Sequence, residues 1–388
     1  MSKVKIVHVI TRFIRGGADE NTLLSCNHQA AAGMEVHLIA GRETSQKILE
    51  KLDPSVKVHI VPTLIRAISP YHDLVALLSI ARILRSIRPD IVHTHTSKAG
   101  ILGRLGAKCT DAAVVHGIHI LPFLNVGRVQ KAFYLFLERA LAKVTDMFVS
   151  VSDGMSTSAL EHGIGVPHQH VVIPSGMDID KHSRAIPHPR TAICEELGDR
   201  GDLVVVAMAA ALEKRKRIYE FLNVFEKVVR EHPNTVLILL GEGPERARLE
   251  TRIDELALGS NVFILGFKED VERWIATADI CTLASEREGL PRVIVQYALA
   301  RKPIVTTHLP GVEAVVRHGQ TGYLTDPASV SAMERPLVQL VGSAELRQTM
   351  SARASEVDLS AWGVDHMANA LMDVYSHVME RSVLKRTA

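Results

Sequence analysis

Short apolar, β-branched runs alternate with longer amphipathic stretches along almost the whole chain. In the first half the runs fall at residues 4–10, 36–40, 58–61, 91–93, 114–115, 147–151 and 171–173. Between them lie helical patterns such as residues 74–87, where Arg82, Arg85 and Arg88 oppose Leu77, Ile80 and Leu84. Strand-then-helix alternation predicts parallel sheets covered by helices on both faces, a doubly wound α/β architecture. The rhythm breaks between residues 178 and 202, where Pro187, Pro189 and a polar cluster show no period, which reads as a domain linker. It restarts with strands at 203–208, 236–240, 262–265, 280–283 and 304–306, and helices at 218–231, 245–258 and 291–300.

This organisation gives two Rossmann-like domains in one chain, residues 1–180 and 200–360. A final helix, 361–388, follows, whose apolar stripe is Trp362, Met367, Leu371, Val374, Tyr375 and Val378. In open α/β sheets ligands bind beyond the carboxyl ends of the strands. With two such sheets facing each other, the expected site is the cleft between the domains, built from loops that directly follow strands.

Composition narrows the partners. The 388 residues are 47% apolar and 23% charged, the mixture of a globular protein with a full core. Lys+Arg number 45 against Asp+Glu 43, a formal +2, so no overall field argues for nucleic acid and any charged ligand must be held locally. Cys26, Cys109, Cys194 and Cys281 are scattered singly, without the spacing of a zinc site or redox pair, as in a cytoplasmic protein. Residues 4–10 are too short for a signal-peptide core, and no later run reaches the roughly 18 apolar residues of a membrane span, so a soluble or peripheral protein is expected.

The candidate chemistry lies in the loops after strands. Gly16-Gly17 follows the first run and precedes a helix, a tight turn whose N–H groups suit a phosphate, although neither the dinucleotide fingerprint nor a P-loop is present. Glu288 sits in a strand-to-helix loop, with Pro291 suited to the first turn of the helix and Gln296 about one and a half turns in. The basic run Lys214-Arg215-Lys216-Arg217 follows another strand. A basic run is commonly a solvated face, and a carboxylate at a helix N-terminus is commonly dipole stabilisation; the placement of both after strands favours a site.

The segment Ser285 to Pro291, with Glu288-Gly289-Leu290-Pro291 followed by a helix and Lys302-Pro303-Ile304-Val305, resembles the donor-binding signature of family 4 retaining glycosyltransferases of the GT-B fold. The family motif is Glu, seven residues, Glu; in this chain it reads Glu288, seven residues, Gln296. Gly16-Gly17-Ala18-Asp19 is similar to the family's Gly-Gly-Ala-Glu loop. Pro89 to His95 with Lys98-Ala99-Gly100 resembles its fourth-strand region. Val115-His116-Gly117-Ile118-His119 resembles the loop carrying an active-site histidine, with His119 as the match, and Ile173 to Asp178 resembles its Pro-Asn-Gly-x-Asp turn. Where the family has Gly-Arg-Leu, three residues, Lys-Gly, Lys216 matches the lysine. Ala211 replaces the arginine and Arg217 the glycine, which leaves Arg215 to supply a second cation.

The resemblance implies transfer of a sugar, with retention, from a nucleoside-diphosphate sugar, UDP-sugar favoured, to a hydroxyl acceptor in bacterial-type polysaccharide or glycolipid assembly. Lys216, Arg215 and the Gly16-Gly17 amides would meet the departing diphosphate, where removal of one such donor costs roughly 2.7–4 kcal/mol of barrier. Glu288, with Gly289 and Leu290 beside it, would hold the donor sugar, Gln296 the ribose, and His119 the acceptor or a sugar hydroxyl. Neither a cofactor nor a metal is expected; Asp178-Ile179-Asp180 has a metal-binding form but lies in a domain-closing turn. His93, His95 and His116 are expected to pack structurally. Residues 120–124, with Arg128, Lys131, Phe133, Tyr134, Phe136 and Arg139, make an apolar, basic stretch that suits either a core helix with a basic side or an anionic membrane presenting a lipid-linked sugar, on the inner face of the cell membrane. Two other readings stay open: a GT-B-fold sugar-nucleotide epimerase and a catalytically silent partner protein. Sequence leaves the oligomeric state undetermined.

Overall fold

The computed structural model describes residues 3–14, 16–121, 123, 126–194, 202–286, 288 and 291–387, the side chains of 382–387 excepted. The chain divides into two compact units, one of residues 1–177 with 361–388 and one of residues 178–360.

Unit 1 is a seven-stranded parallel sheet of β1 (Lys5–Ile10), β2 (Glu35–Gly41), β3 (Lys57–Val61), β4 (Ile91–His95), β5 (Ala113–Ile118), β6 (Met147–Ser150) and β7 (His170–Val172). The order is β3-β2-β1-β4-β5-β6-β7. Chain direction across the sheet therefore reverses between β1 and β4, whose register pairs His8 with His93. The central strands are buried on both faces, which is why they read as near-continuous apolar runs. Unit 2 is a six-stranded parallel sheet of β8 (Val204–Ala209), β9 (Thr235–Leu240), β10 (Val262–Gly266), β11 (Ile280–Leu283), β12 (Ile304–Thr307) and β13 (Gly322–Thr325), in the order β10-β9-β8-β11-β12-β13. Its reversal lies between β8 and β11. Both are the doubly wound order, with the ligand crevice at the reversal.

Helix formation follows the predicted stripes. Ile218–Glu231 buries Ile218, Phe221, Leu222, Phe225 and Val228, an i, i+3, i+4, i+7 face, against Leu237 and Leu239 of β9. The helix Pro70–Ile87 buries Ile80 and Leu84, while Arg88 lies beyond it as a left-handed cap at φ 53°, not on its polar face. The last helix, Val364–Thr387, buries Met367, Leu371, Val374, Tyr375 and Val378 against Ile6, Ile91, Val115 and Met147 of the unit 1 sheet. Five such side chains contribute on the order of 10 kcal/mol as an upper estimate. Trp362 precedes this helix, in the turn Ser360–Trp362, and its carbonyl accepts from Met177 N at 2.8 Å.

Residues 178–194 are not a free spacer. Asp178 Oδ1 caps the helix Ile179–Ser183 by accepting from Lys181 N at 2.9 Å. His188 Nε2 meets Asp270 Oδ2 at 2.7 Å, and Arg190 Nη2 donates to both oxygens of Asp279 at 3.1 and 3.2 Å. Unit 2 therefore begins at Asp178 rather than near residue 200. The edge strand β13 carries no apolar run in the sequence, which is why periodicity does not reveal it. No helix of the described residues is long and apolar enough to cross a membrane.

Candidate active site

At the β8/β11 reversal of unit 2, two loops bring opposite charges together. After β8 the chain enters a single 3-10 turn, Lys214–Lys216, and Arg217 takes left-handed backbone angles, φ 53° and ψ 32°, before the next helix. That conformation suits glycine. Arg217 occupies it with its guanidinium Nη1 donating to Pro327 O at 2.6 Å. After β11, Glu286 N donates to Arg215 O at 2.9 Å, tying the two loops by their backbones.

Glu288 Oε1 is the convergence point. It accepts from Lys216 Nζ and from Ser285 Oγ, the latter at 2.9 Å, and pairs with Arg215 Nη1 at 3.2 Å. Arg215 Nε also donates to Glu213 Oε2 at 2.7 Å. The Lys216 side chain is only 8% exposed and that of Glu288 15%, whereas Arg215 reaches 46%. Burial holds the Lys216 ammonium below its ordinary range, against the opposing pull of Glu288. Breaking such a buried pair from one side costs about 3–5 kcal/mol. The basic run is thus split by the fold: Lys216 turns inward and Arg215 stands at the rim.

Further bonds fix this arrangement. Thr307 Oγ1 donates to Ser285 O at 2.7 Å, and Tyr297 OH accepts from Ala209 N at 2.7 Å, at the end of β8. Tyr297 and Thr307 escape the sequence reading; only the position of Tyr297 beside Gln296 hints at a role. Also unread is the Gly241-Glu242-Gly243 turn after β9. A Cβ on Gly241, at φ 155°, would lie 2.0 Å from Ala210 O, and one on Gly243 2.4 Å from Leu212 O. The β8 loop therefore rests on bare backbone; a Gly-x-Gly-Pro immediately after a strand was the available signal. Gln296 lies half-buried on the helix Arg292–Leu299. Gly289 and Leu290 lie outside the described residues.

At the β1/β4 reversal of unit 1 the strand ends meet through neutral side chains, with the charges set on the helices that follow: Asp19, buried, accepts from Ile14 N at 3.3 Å, and Lys98 pairs with Asp73 at 2.6 Å. Gly16 is the N-terminal cap of the helix Gly17–Ala31, and both glycines are exposed. Arg15, beside them, lies outside the described residues. Thr11 Oγ1 and Thr96 Oγ1 bridge the two strand ends at 3.1 Å, and Ala99 N donates to Thr11 Oγ1 at 3.0 Å. Thr96 holds φ 64°, a strained setting for a β-branched residue.

His119 follows β5, half-buried, with Nε2 3.2 Å from His95 Nδ1. Behind it His8, His93, His95 and His116 are buried, as the sequence reading expects of the last three. Burial lowers the His8 pKa to about 4 and those of His93, His95 and His116 well below their ordinary value. The carboxylates of Asp178 and Asp180 are engaged locally, in the helix cap and with Arg184 at 3.4 Å.

Comparison with known proteins places these two units. Residues 190–357 match the family model described as glycosyl transferases group 1, and residues 15–181 match that of glycosyltransferase family 4. A UDP-Gal:alpha-D-GlcNAc-diphosphoundecaprenol alpha-1,3-galactosyltransferase of Escherichia coli is 26% identical over 380 residues, 96% of this chain and 97% of the relative. An N-acetyl-alpha-D-glucosaminyl L-malate synthase of Bacillus anthracis is 22% identical over 90% of this chain and 91% of its own length. Among solved structures, HepE of Anabaena in complex with UDP and glucose superposes with a TM-score of 0.79 at 19% identity, covering 96% of this chain and 99% of HepE. A sucrose-phosphate synthase of Thermosynechococcus elongatus gives 0.81 at 16% identity, covering 98% of this chain and all of that one. These relatives favour a transferase over the epimerase and silent-partner readings. With both halves matched and both sheets in the doubly wound order, the chain belongs to the family 4 glycosyltransferases of the GT-B fold and is a glycosyltransferase.

Proposed function

We propose that this glycosyltransferase moves a sugar, with retention, from a UDP-sugar to a hydroxyl of a lipid-diphosphate-linked sugar. The observation that carries the reading is the convergence of Lys216 and Arg215 on Glu288 at the β8/β11 reversal. As the donor's C1–O bond breaks, its electron pair goes to the diphosphate oxygen, while the acceptor hydroxyl oxygen bonds C1 and its proton passes to the departing diphosphate. Lys216 and Arg215 supply cationic donors for that charge, preorganised by the loop bond between Glu286 N and Arg215 O. Glu288 holds hydroxyls of the donor sugar, with Gly289 and Leu290 beside it. Gln296 bonds the ribose, and the amides at Gly16 and Gly17 open a helix N-terminus toward phosphate. His119 takes a hydroxyl hydrogen bond. No cofactor enters this scheme, and its leaving-group charge is met by side chains.

The UDP in the HepE complex and the UDP-Gal donor named for the E. coli relative support the donor class. That relative's diphosphoundecaprenol acceptor supports the lipid-linked acceptor. A membrane-facing surface agrees with it: the helix Arg128–Ala142 exposes Val129, Phe133 and Phe136 beside Arg128, Lys131 and Arg139. We place the protein on the cytoplasmic side, peripheral to the membrane.

The reading is tested by incubating the protein with UDP-galactose, UDP-glucose or UDP-N-acetylglucosamine and a GlcNAc-diphospho-lipid. Transfer that forms an α-linked product supports it; an inverted product or absence of any UDP stabilisation in thermal melts refutes it. Co-sedimentation with anionic, but not neutral, liposomes at low salt tests the surface, and its loss in Phe133→Ser/Phe136→Ser identifies the helix.

A further inference from the structure

Where the family motif has glycine after its lysine, this chain has Arg217, and the side chain is tied down. We propose that Arg217 is a positioning residue: by bonding the carbonyl of Pro327 it locks the left-handed turn that aims Lys216 at Glu288 and at the donor's diphosphate. The inference rests on the reading of Lys216 as a cation that meets the leaving group.

Lys216 ends the 3-10 turn Lys214–Lys216, and Ile218 opens a helix that buries Ile218 and Phe221 in the core of unit 2. Arg217 N closes the turn by donating to Lys214 O at 3.0 Å, and Phe221 N starts the helix by donating to Arg217 O at 3.0 Å. Arg217 is the one residue between these two fixed pieces, so its φ and ψ set the direction in which Lys216 leaves the loop. At φ 53° and ψ 32° a Cβ meets steric resistance. Glycine would meet none, but it would visit the other allowed regions as readily. Arg217 carries the resistance and is held against it, because Nη1 donates to Pro327 O at 2.6 Å.

The acceptor carbonyl is itself fixed. Asp326 Oδ1 accepts from Ala328 N at 2.8 Å and Asp326 O from Ser329 N at 3.1 Å, a turn built around Pro327. Just before it, Thr325 O accepts from His308 N at 2.8 Å, and Thr325 Oγ1 donates to Thr306 O at 3.3 Å. Thr307 Oγ1 donates to Ser285 O at 2.7 Å, and Ser285 Oγ donates at 2.9 Å to the Glu288 oxygen that accepts from Lys216 Nζ. The bonds thus run from Arg217 through the ends of β13, β12 and β11 back to Lys216, and the peptide bond between residues 216 and 217 closes the ring. Opening the ring at the guanidinium leaves Lys216 paired with Glu288 but lets its backbone turn. Preorganisation is what a cationic donor contributes as the leaving group gains charge. The loss therefore falls on the rate of transfer more than on ground-state binding of the donor.

Arg217→Gly suits the backbone and removes the strap, whereas Arg217→Lys keeps a cationic donor on a long stem. In hydrogen exchange of the full chain, Arg217→Gly should speed exchange roughly fivefold at residues 214–217 and at Ala328 and Ser329, with β8 and β9 unchanged. Turnover of UDP-galactose with the GlcNAc-diphospho-lipid should fall about tenfold in kcat with little change in donor KM. Arg217→Lys should keep most of the parent rate. In a Lys216→Ala background, Arg217→Gly should cost no further turnover. The proposal is overturned by parental exchange in both segments, by parental kcat in Arg217→Gly, by a loss in Arg217→Lys as large as in Arg217→Gly, or by equal losses with and without Lys216. Full activity of Lys216→Ala would instead remove the role given to Lys216, and hydrogen exchange would still decide whether the strap holds the loop.

Discussion

The two sheets reverse their strand order in the same way, between first and fourth strands, yet the reversals carry opposite kinds of chemistry. In unit 2 the loops after β8 and β11 meet through Lys216, Arg215 and Glu288, a charged knot only partly open to solvent. In unit 1 the ends of β1 and β4 meet through threonine hydroxyls and buried neutral histidines. The difference teaches that topology supplies a crevice and the loop residues supply its use. A charged knot suits a ligand whose leaving group gains charge.

The comparison breaks most readily in unit 2. Lys216→Ala should lower kcat by about 10²–10³-fold, the scale of one lost transition-state donor, and should destabilise the fold by leaving Glu288 without its buried partner. Adding Glu288→Ala should recover stability and not turnover; rate assays with urea melts separate the two. Were the single variant fully active, the knot would be structural only.

Acid should strike unit 1. Its buried histidines have folded-state pKa values below that of the unfolded chain, so above pH 6.5 both states are neutral and nothing is lost. As pH falls from 6.5 toward about 4, the unfolded chain binds protons that the folded one refuses, and stability drops. His8 alone accounts for roughly 3 kcal/mol. Hydrogen exchange at pH 7 and pH 4.5 should show weakened protection in β1 and β4 before β8 and β9; the reverse order would contradict it.

Tyr297→Phe removes the partner of Ala209 N at the end of β8, a loss of about 1–3 kcal/mol for a buried unpaired donor. A lower Tm with a raised donor KM is expected, whereas Tyr323→Phe, on β13, should change neither. The smallest effect concerns Gln296. Charge-assisted bonds of roughly 1.5–3 kcal/mol would replace neutral ones of about 0.5–1.5 in Gln296→Glu, so UDP-sugar affinity should rise about tenfold. Calorimetry checks it, and unchanged affinity would remove Gln296 from the ribose.

Much of the fold is legible because its central strands are buried on both faces and its helices on one, which fixes distinct periods. Glu288 and Lys216 were legible as candidates because each lies in the loop that follows a strand. Arg217 was not: its left-handed backbone, where glycine is expected, is settled by the bond to Pro327, 110 residues away. Nor was Tyr297, whose hydroxyl serves another strand's end. The stretch 178–194 reads as a linker because its helices are too short to show a period, and its anchors Asp270 and Asp279 lie far along the chain.

By itself, then, the amino-acid order determined two doubly wound sheets, the loops that carry chemistry and the family to which they belong, because periodicity and strand-end motifs are local properties. Tertiary structure decided which of four consecutive cations turns inward, that His8 meets His95, and that Tyr375 of the last helix meets His93. Those outcomes depend on burial and on hydrogen-bond partners 72 to 282 residues apart. No local pattern encodes such pairings, since a polar side chain takes the partner that packing brings to it.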